Sequence, residues 1–113
     1  RNITVHEYEE QIREKVYPIL PHFIHKPDYH VLQQILNKYP YTFYAYGSRV
    51  KGTARKYSDL DLCYQEDIPS DIFYQIIKEI EESDLPFVVE LVDWRDMNSD
   101  FQELIKSDLL QFT

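Results

Sequence analysis

Glycine occurs only twice in the 113 residues, at Gly47 and Gly52, five positions apart. Glycine reaches backbone conformations and close approaches that other residues resist. A chain this poor in it therefore concentrates its special backbone in one short segment. The flanks sharpen that constraint. Thr42-Phe43-Tyr44-Ala45-Tyr46 is rich in β-formers and stops at Gly47, so it reads as a strand that delivers the chain into a tight turn. Ser48 to Tyr57 is polar and basic, a short helical turn followed by a loop, and Leu60 to Tyr64 reads as a second strand.

Helical periodicity dominates on either side. Val5, Tyr8, Ile12 and Val16 recur at helical spacing behind a Thr4–Glu7 capping box, and Pro18 ends that helix near Tyr17. Pro18 to Pro27 reads as a connecting loop. Asp28 reads as the cap of a second helix whose apolar stripe is Val31, Leu32, Ile35 and Leu36, with Pro40 just beyond its end. Ser70 is the expected cap of a third, in which Ile72, Phe73, Ile76, Ile77 and Ile80 share a face. Phe87 to Trp94 reads as a third strand. Ser99 with Gln102 forms another capping box, starting a last helix with Phe101, Leu104 and Ile105 expected inside. The order α-α-β-β-α-β-α shows no repeat, low-complexity tract or second domain. It predicts an α/β (α+β) fold: a small mixed β-sheet with flanking helices. Residues 1–27, a helix and loop, are expected to belong to the same domain as residues 28–113.

The net charge of −8 argues against a non-specific nucleic-acid binder, whose affinity comes from neutralising phosphates. A local basic cluster, Arg49, Lys51, Arg55 and Lys56, follows the glycine turn. A single cysteine, Cys63, excludes an intrachain disulfide and fits a reducing, cytoplasmic compartment. No apolar run approaches a membrane span, and the N-terminus has no signal-peptide pattern. His22 and His25 are spaced i, i+3, but they lie in a proline-bounded loop without a cysteine partner, which argues against zinc. Cys63 is expected to be a small buried thiol. Tyr39, Tyr41, Tyr44, Tyr46 and Tyr57 are read mostly as core or partner surface, with base stacking open to some of them.

The chemistry lies between the two strands. Asp59 and Asp61 sit at i and i+2 at the start of the second strand, so both carboxylates point to one face. Two like charges held that close repel, and burying them is costly without a counter-ion. A divalent cation removes the problem, and Mg²⁺ prefers carboxylate and phosphate oxygens. At Gly47 the backbone N–H groups are free to approach a phosphate, the Ser48 hydroxyl is a further donor, and Arg49 and Lys51 add positive charge. An acidic metal site and a basic phosphate site are thus neighbours in sequence, as a metal–triphosphate complex requires.

Gly47-Ser48, ten residues, then Asp59-Leu60-Asp61 resembles the signature of the nucleotidyltransferase superfamily related to DNA polymerase β. The text from Tyr46 to Leu62 is similar to its minimal nucleotidyltransferase branch, and the resemblance runs from about Asp28 to about Asp108. The resemblance implies a third carboxylate on a later strand, within Val88-Val89-Glu90-Leu91-Val92-Asp93. Glu90 falls at the expected position, where the family usually has Asp. Asp93 has the opposite strand parity and stays in reserve. The family's activity would then be two-metal nucleotidyl transfer. Asp59, Asp61 and Glu90 would be the catalytic, Mg²⁺-binding residues, and Gly47, Ser48 and Arg49 the nucleotide-binding ones. ATP is the substrate that the resemblance implies. It also implies an acceptor: a helical HEPN-type toxin partner, adenylylated on a tyrosine, with this chain as antitoxin. Two alternatives stand beside it. One is an impaired module that binds nucleotide or a partner without turnover, motivated by Glu90. The other is a small-molecule transferase of the aminoglycoside-modifying type, completed by a dimer mate.

Overall fold

The computed structural model describes residues 24–51 and 58–113. The expected helix Val5 to Tyr17 and the polar run 52–57 lie outside those residues. The chain forms helix α1 (Lys26–Leu36), strand β1 (Tyr44–Tyr46), the one-turn helix α2 (Ser48–Lys51) and strand β2 (Leu60–Tyr64). Helix α3 (Ser70–Glu82), strand β3 (Val89–Asp93), helix α4 (Ser99–Ile105) and a short strand β4 (Leu110–Gln111) follow. Single 3₁₀ turns at Trp94–Asp96 and Lys106–Asp108 flank α4. The strands make one sheet in the order β3-β2-β1-β4. β2 pairs antiparallel with β1 and parallel with β3, and β1 pairs antiparallel with β4. The parallel pair is joined by α3, as a β-α-β crossover requires. The expected mixed α/β architecture is what the chain adopts.

One face of the sheet carries the main core. Leu60 and Leu62 of β2, Ala45 of β1, and Val89 and Leu91 of β3 pack with Tyr29, Leu32, Ile35 and Leu36 of α1 and Ile76 and Ile80 of α3. Of the stripes read in the sequence, Leu32, Ile35, Leu36, Ile76 and Ile80 are buried and Ile72, Phe73 and Ile77 partly so, whereas Val31 is exposed and Tyr29 takes a core place instead. Leu32, Leu36, Leu60, Leu62 and Ile76 are wholly buried, and full burial of a side chain of this size stabilises by roughly 1.5–3 kcal/mol. Glu79 ties α3 to the end of α1 by accepting from Lys38 Nζ and the Tyr39 hydroxyl. On the opposite face a smaller cluster of Tyr46, Cys63 and Ile105, with Tyr44, Trp94, Met97 and Leu109 at its margin, seats α4 over part of the sheet. The rest of that face is left for polar groups. Among the described residues, no helix is long and apolar enough to cross a membrane.

The helix starts differ from expectation by one to three residues. Pro27 near the start of α1 presets a helical φ, so the helix begins after His25 and Asp28 lies in its first turn instead of capping it. α3 starts at Ser70 behind Pro69, with no side-chain cap. Asn98, not Ser99, caps α4: its Oδ1 accepts from the backbone N–H groups of Asp100 and Phe101. Gln102 instead donates to the Trp94 carbonyl, holding α4 against the preceding turn. Of the three apolar residues expected inside α4, only Ile105 is buried; Phe101 is 40% and Leu104 62% exposed. A helix of seven residues covers the sheet with a narrow stripe. β4 was not foreseen. Its two residues are too few to show alternation, yet they continue into Phe112, whose backbone N–H donates to the Phe43 carbonyl at 2.7 Å.

Candidate active site

β2 is an inner strand, and its alternation sorts its side chains. Leu60, Leu62 and Tyr64 turn to the main core, while Asp61 and Cys63 turn to the other face. Pairing then builds a row across three strands, because Asp61 is in register with Tyr46 of β1 and with Glu90 of β3. Asp59, exposed just before β2, has the same parity as Asp61, and its charge acts on the Asp61 carboxyl. Asp61 is half-buried, whereas Glu90 is exposed at the open side of the row.

Gly47 closes the row at the end of β1. It has φ 85°, a left-handed conformation that an L side chain rarely adopts. A Cβ there would lie 2.5 Å from Asp61 Oδ2. The glycine therefore serves two purposes, since it turns the chain and lets backbone lie directly against a carboxylate. α2 begins at once, with the Lys51 N–H donating to the Gly47 carbonyl at 3.1 Å, so Ser48 stands at the first helical position beside the carboxylate row.

The electrostatics follow from this packing. Asp61 is pushed up to about 6, first by burial, then by the charge of Glu90 and a hydrogen bond with it, and last by Asp59. Tyr46 is pushed up to about 12 by burial and by the neighbouring charges of Asp61, Cys63 and Glu90, so its phenol stays protonated. Cys63 is 1% exposed, and burial pushes its thiol up to about 11. It is the small buried thiol expected from the sequence.

Among the described residues, no three His, Cys, Asp or Glu side chains converge closely enough to form a ready metal cage. The chemistry of the donors nonetheless suits a hard cation. The charged donors of the row are carboxylate oxygens, and burial together with the charge of Glu90 on the adjacent strand raises Asp61. A divalent, oxygen-preferring ion offsets that charge, with substrate oxygens completing its shell.

Two of the remaining polar residues turn elsewhere. Asp93 has the parity of Leu91, not of Glu90, and is committed to Arg95. It accepts from the Arg95 backbone N–H at 2.9 Å, from Nε at 3.1 Å and from Nη2 at 2.7 Å. These contacts hold its carboxyl below the usual range. Arg49, expected beside the phosphate segment, turns inward and is 6% exposed. Its Nε and Nη2 donate to the Ser58 carbonyl at 2.9 and 2.6 Å, and its guanidinium lies 4.3 Å from the centre of the Phe87 ring. Lys51 is exposed, with Nζ 3.7 Å from Asp108 Oδ2. Arg55 and Lys56 lie outside the described residues. Two residues that sequence reasoning did not single out belong to the surroundings: Tyr46, as the neutral neighbour of Asp61, and Phe87, under Arg49. The place of Tyr46 immediately before Gly47 was visible in the sequence, but its register opposite Asp61 was not.

Comparison with known proteins bears on this arrangement. A family profile described as polymerase beta, nucleotidyltransferase, matches residues 30–110. The probable protein adenylyltransferase MntA of Haemophilus influenzae is 45% identical over 78 residues, 67% of this chain and 67% of that protein. The matched span contains Gly47, Ser48, Asp59, Asp61 and Glu90.

Proposed function

The chain belongs to the polymerase β nucleotidyltransferase family, in its minimal branch, and from that premise we propose that it transfers AMP from ATP to a hydroxyl group on a partner protein. The observation that carries the reading is the Gly47–Asp61–Glu90 arrangement. A positive-φ glycine lies against a half-buried carboxylate whose register partner is a second, exposed carboxylate. In this reading Asp59, Asp61 and Glu90 hold two Mg²⁺ ions, and Gly47 and Ser48 hold the triphosphate. When bound, the ions neutralise charge on the triphosphate and make the α-phosphorus more open to attack.

The chain's own residues then have separate tasks. The backbone at Gly47 and the Ser48 hydroxyl orient the phosphates, which is where most acceleration of such a transfer originates. Asp61, half-buried and in register with both neighbours, fixes the centre of the row. Glu90, exposed toward the incoming acceptor, receives the proton that the attacking hydroxyl loses. The acceptor oxygen bonds to the α-phosphorus, the bond to the bridging oxygen breaks, and pyrophosphate leaves. The protonated Tyr46 phenol flanks the row without adding a charge to it.

For the acceptor we propose a tyrosine of a helical HEPN-type protein, silenced by the modification, so that this chain acts as a cytoplasmic antitoxin. The support is the similarity to a relative named for protein adenylylation. Intact-mass spectrometry tests the reading. The protein is mixed with Mg²⁺, ATP and a candidate HEPN-type partner, beside the Asp59→Asn/Asp61→Asn variant. AMP additions to the partner's mass, absent with the variant, are expected. A stable complex that binds ATP yet shows no addition would overturn the transfer reading in favour of a binding module.

A further inference from the structure

Among the described residues, Arg49 is the charged side chain that is buried. Burying a guanidinium is costly unless its donors and charge are met. Here they are met from two directions. Two donors of the fork close on the Ser58 carbonyl, and the cation lies over the face of Phe87. The charges of Asp28 and Asp59 favour the cation and oppose the effect of burial. The segments joined are informative. Arg49 lies two residues after Gly47, Ser58 is the residue before Asp59, and Phe87 lies three residues before Glu90. The last two segments also touch directly, because the Leu60 N–H donates to the Val88 carbonyl at 2.9 Å. One cation, carried on the first of the three arms that hold the candidate site, thus touches the other two.

We propose that Arg49 is a positioning residue that fixes the approach of Asp59 to the carboxylate row by clamping the Ser58 carbonyl and the Phe87 ring, and that it is not a ligand of the nucleotide phosphates. The proposal rests on the reading of Asp59 and Asp61 as metal-holding residues. Phosphate contact would need the guanidinium turned to the open face, whereas its fork is engaged on Ser58 and its plane on Phe87. Lysine is a poor substitute in a clamp, because a single ammonium reproduces neither the two-donor fork nor the ring contact. For a phosphate ligand, lysine retains most of the function.

The test compares the full-length chain with Arg49→Lys and Phe87→Leu. Three readouts are taken: hydrogen exchange of the peptide spanning Ser58–Tyr64 in metal-free buffer, Mn²⁺ affinity by electron paramagnetic resonance, and KM for ATP against kcat. Arg49→Lys is expected to speed exchange at the Ser58 end and to weaken Mn²⁺ binding about tenfold, the lower end of the effect of groups that orient metal ligands. The loss of turnover should appear in kcat, with KM for ATP little changed. Phe87→Leu, which removes only the ring beneath the cation, should move exchange and Mn²⁺ affinity in the same direction to a smaller extent. It decides the matter alone if Arg49→Lys does not fold. Wild-type exchange and Mn²⁺ affinity in both variants, or a raised KM for ATP with kcat retained, would overturn the proposal. Wild-type protein that bound no Mn²⁺ with ATP present would instead count against the nucleotidyl-transfer reading, and the exchange measurement would still judge the clamp.

Discussion

Gly47→Ala separates the two purposes of the turn glycine. The added methyl meets Asp61 Oδ2 at 2.5 Å, about 0.9 Å inside ordinary contact. It also leaves an L residue at φ 85°. The backbone penalty is about 1–2 kcal/mol, the cost of the left-handed region for a residue with a Cβ. The contact penalty is of a different kind. Oδ2 is the end of a short side chain that swings aside at little energetic cost, but doing so displaces a central carboxylate of the row by nearly 1 Å. Misplacement on that scale reduces catalysis by roughly a hundredfold. Urea denaturation should therefore show a loss of about 1–2 kcal/mol, while the rate of AMP transfer falls far more than so small a loss of folded protein explains. Gly47→Asn is the control. Asparagine tolerates positive φ better than alanine, so part of the stability should return, yet its Cβ meets Asp61 at the same place and activity should stay low. If both variants are destabilised but transfer AMP at close to the wild-type rate, the glycine is only a turn residue and the argument from the missing Cβ fails.

Other outcomes follow from the charges. Asp61 has a folded pKa of about 6 against an ordinary 3.8, so its contribution destabilises the metal-free protein fully above pH 6 and vanishes as pH falls toward 4. The shift of about two units corresponds to about 3 kcal/mol, reduced to roughly 1–2 kcal/mol because the group is half-exposed to screening solvent. Metal-free Asp61→Asn should accordingly be more stable than wild type at pH 7.5 by that amount, with the difference shrinking by pH 4.5. A variant less stable at pH 7.5 would contradict the assignment. Asp93→Asn should cost no more than about 1 kcal/mol in thermal unfolding, through loss of an exposed ion pair and a cap, and leave AMP transfer close to wild type. A hundredfold loss would return Asp93 to the site.

Much of this candidate site is legible in the sequence, and the reason is local. Gly47-Ser48 and Asp59-Leu60-Asp61 lie within fifteen residues, and strand alternation alone puts Asp61 opposite in face to Leu60 and Leu62. The same rule separates Glu90 from Asp93; in the structure Glu90 is in register with Asp61, and Asp93 accepts from Arg95. The stripes of α1 and α3 followed from 3.6-residue spacing. What escaped depends on contacts distant in sequence. The direction of Arg49 is set by the Ser58 carbonyl and the Phe87 ring, nine and thirty-eight residues away. β4 exists because Phe43 offers backbone partners to the C-terminal segment, and Phe112 finds the ring of Tyr29 at 5.1 Å. The cap shifts at α1, α3 and α4 arose where Pro27, Pro69 and Asn98 competed with the residues expected to cap.

Labelled ATP distinguishes nucleotidyl transfer from phosphoryl transfer and from binding alone. Protein, partner and Mg²⁺ are incubated with ATP carrying radioactive phosphorus at either the α or the γ position, beside Glu90→Gln. The α-label is expected to become bound to the partner, the γ-label to leave as pyrophosphate, and Glu90→Gln to abolish the incorporation. Protein-bound γ-label, or no α-label on any protein while ATP is bound, would contradict nucleotidyl transfer.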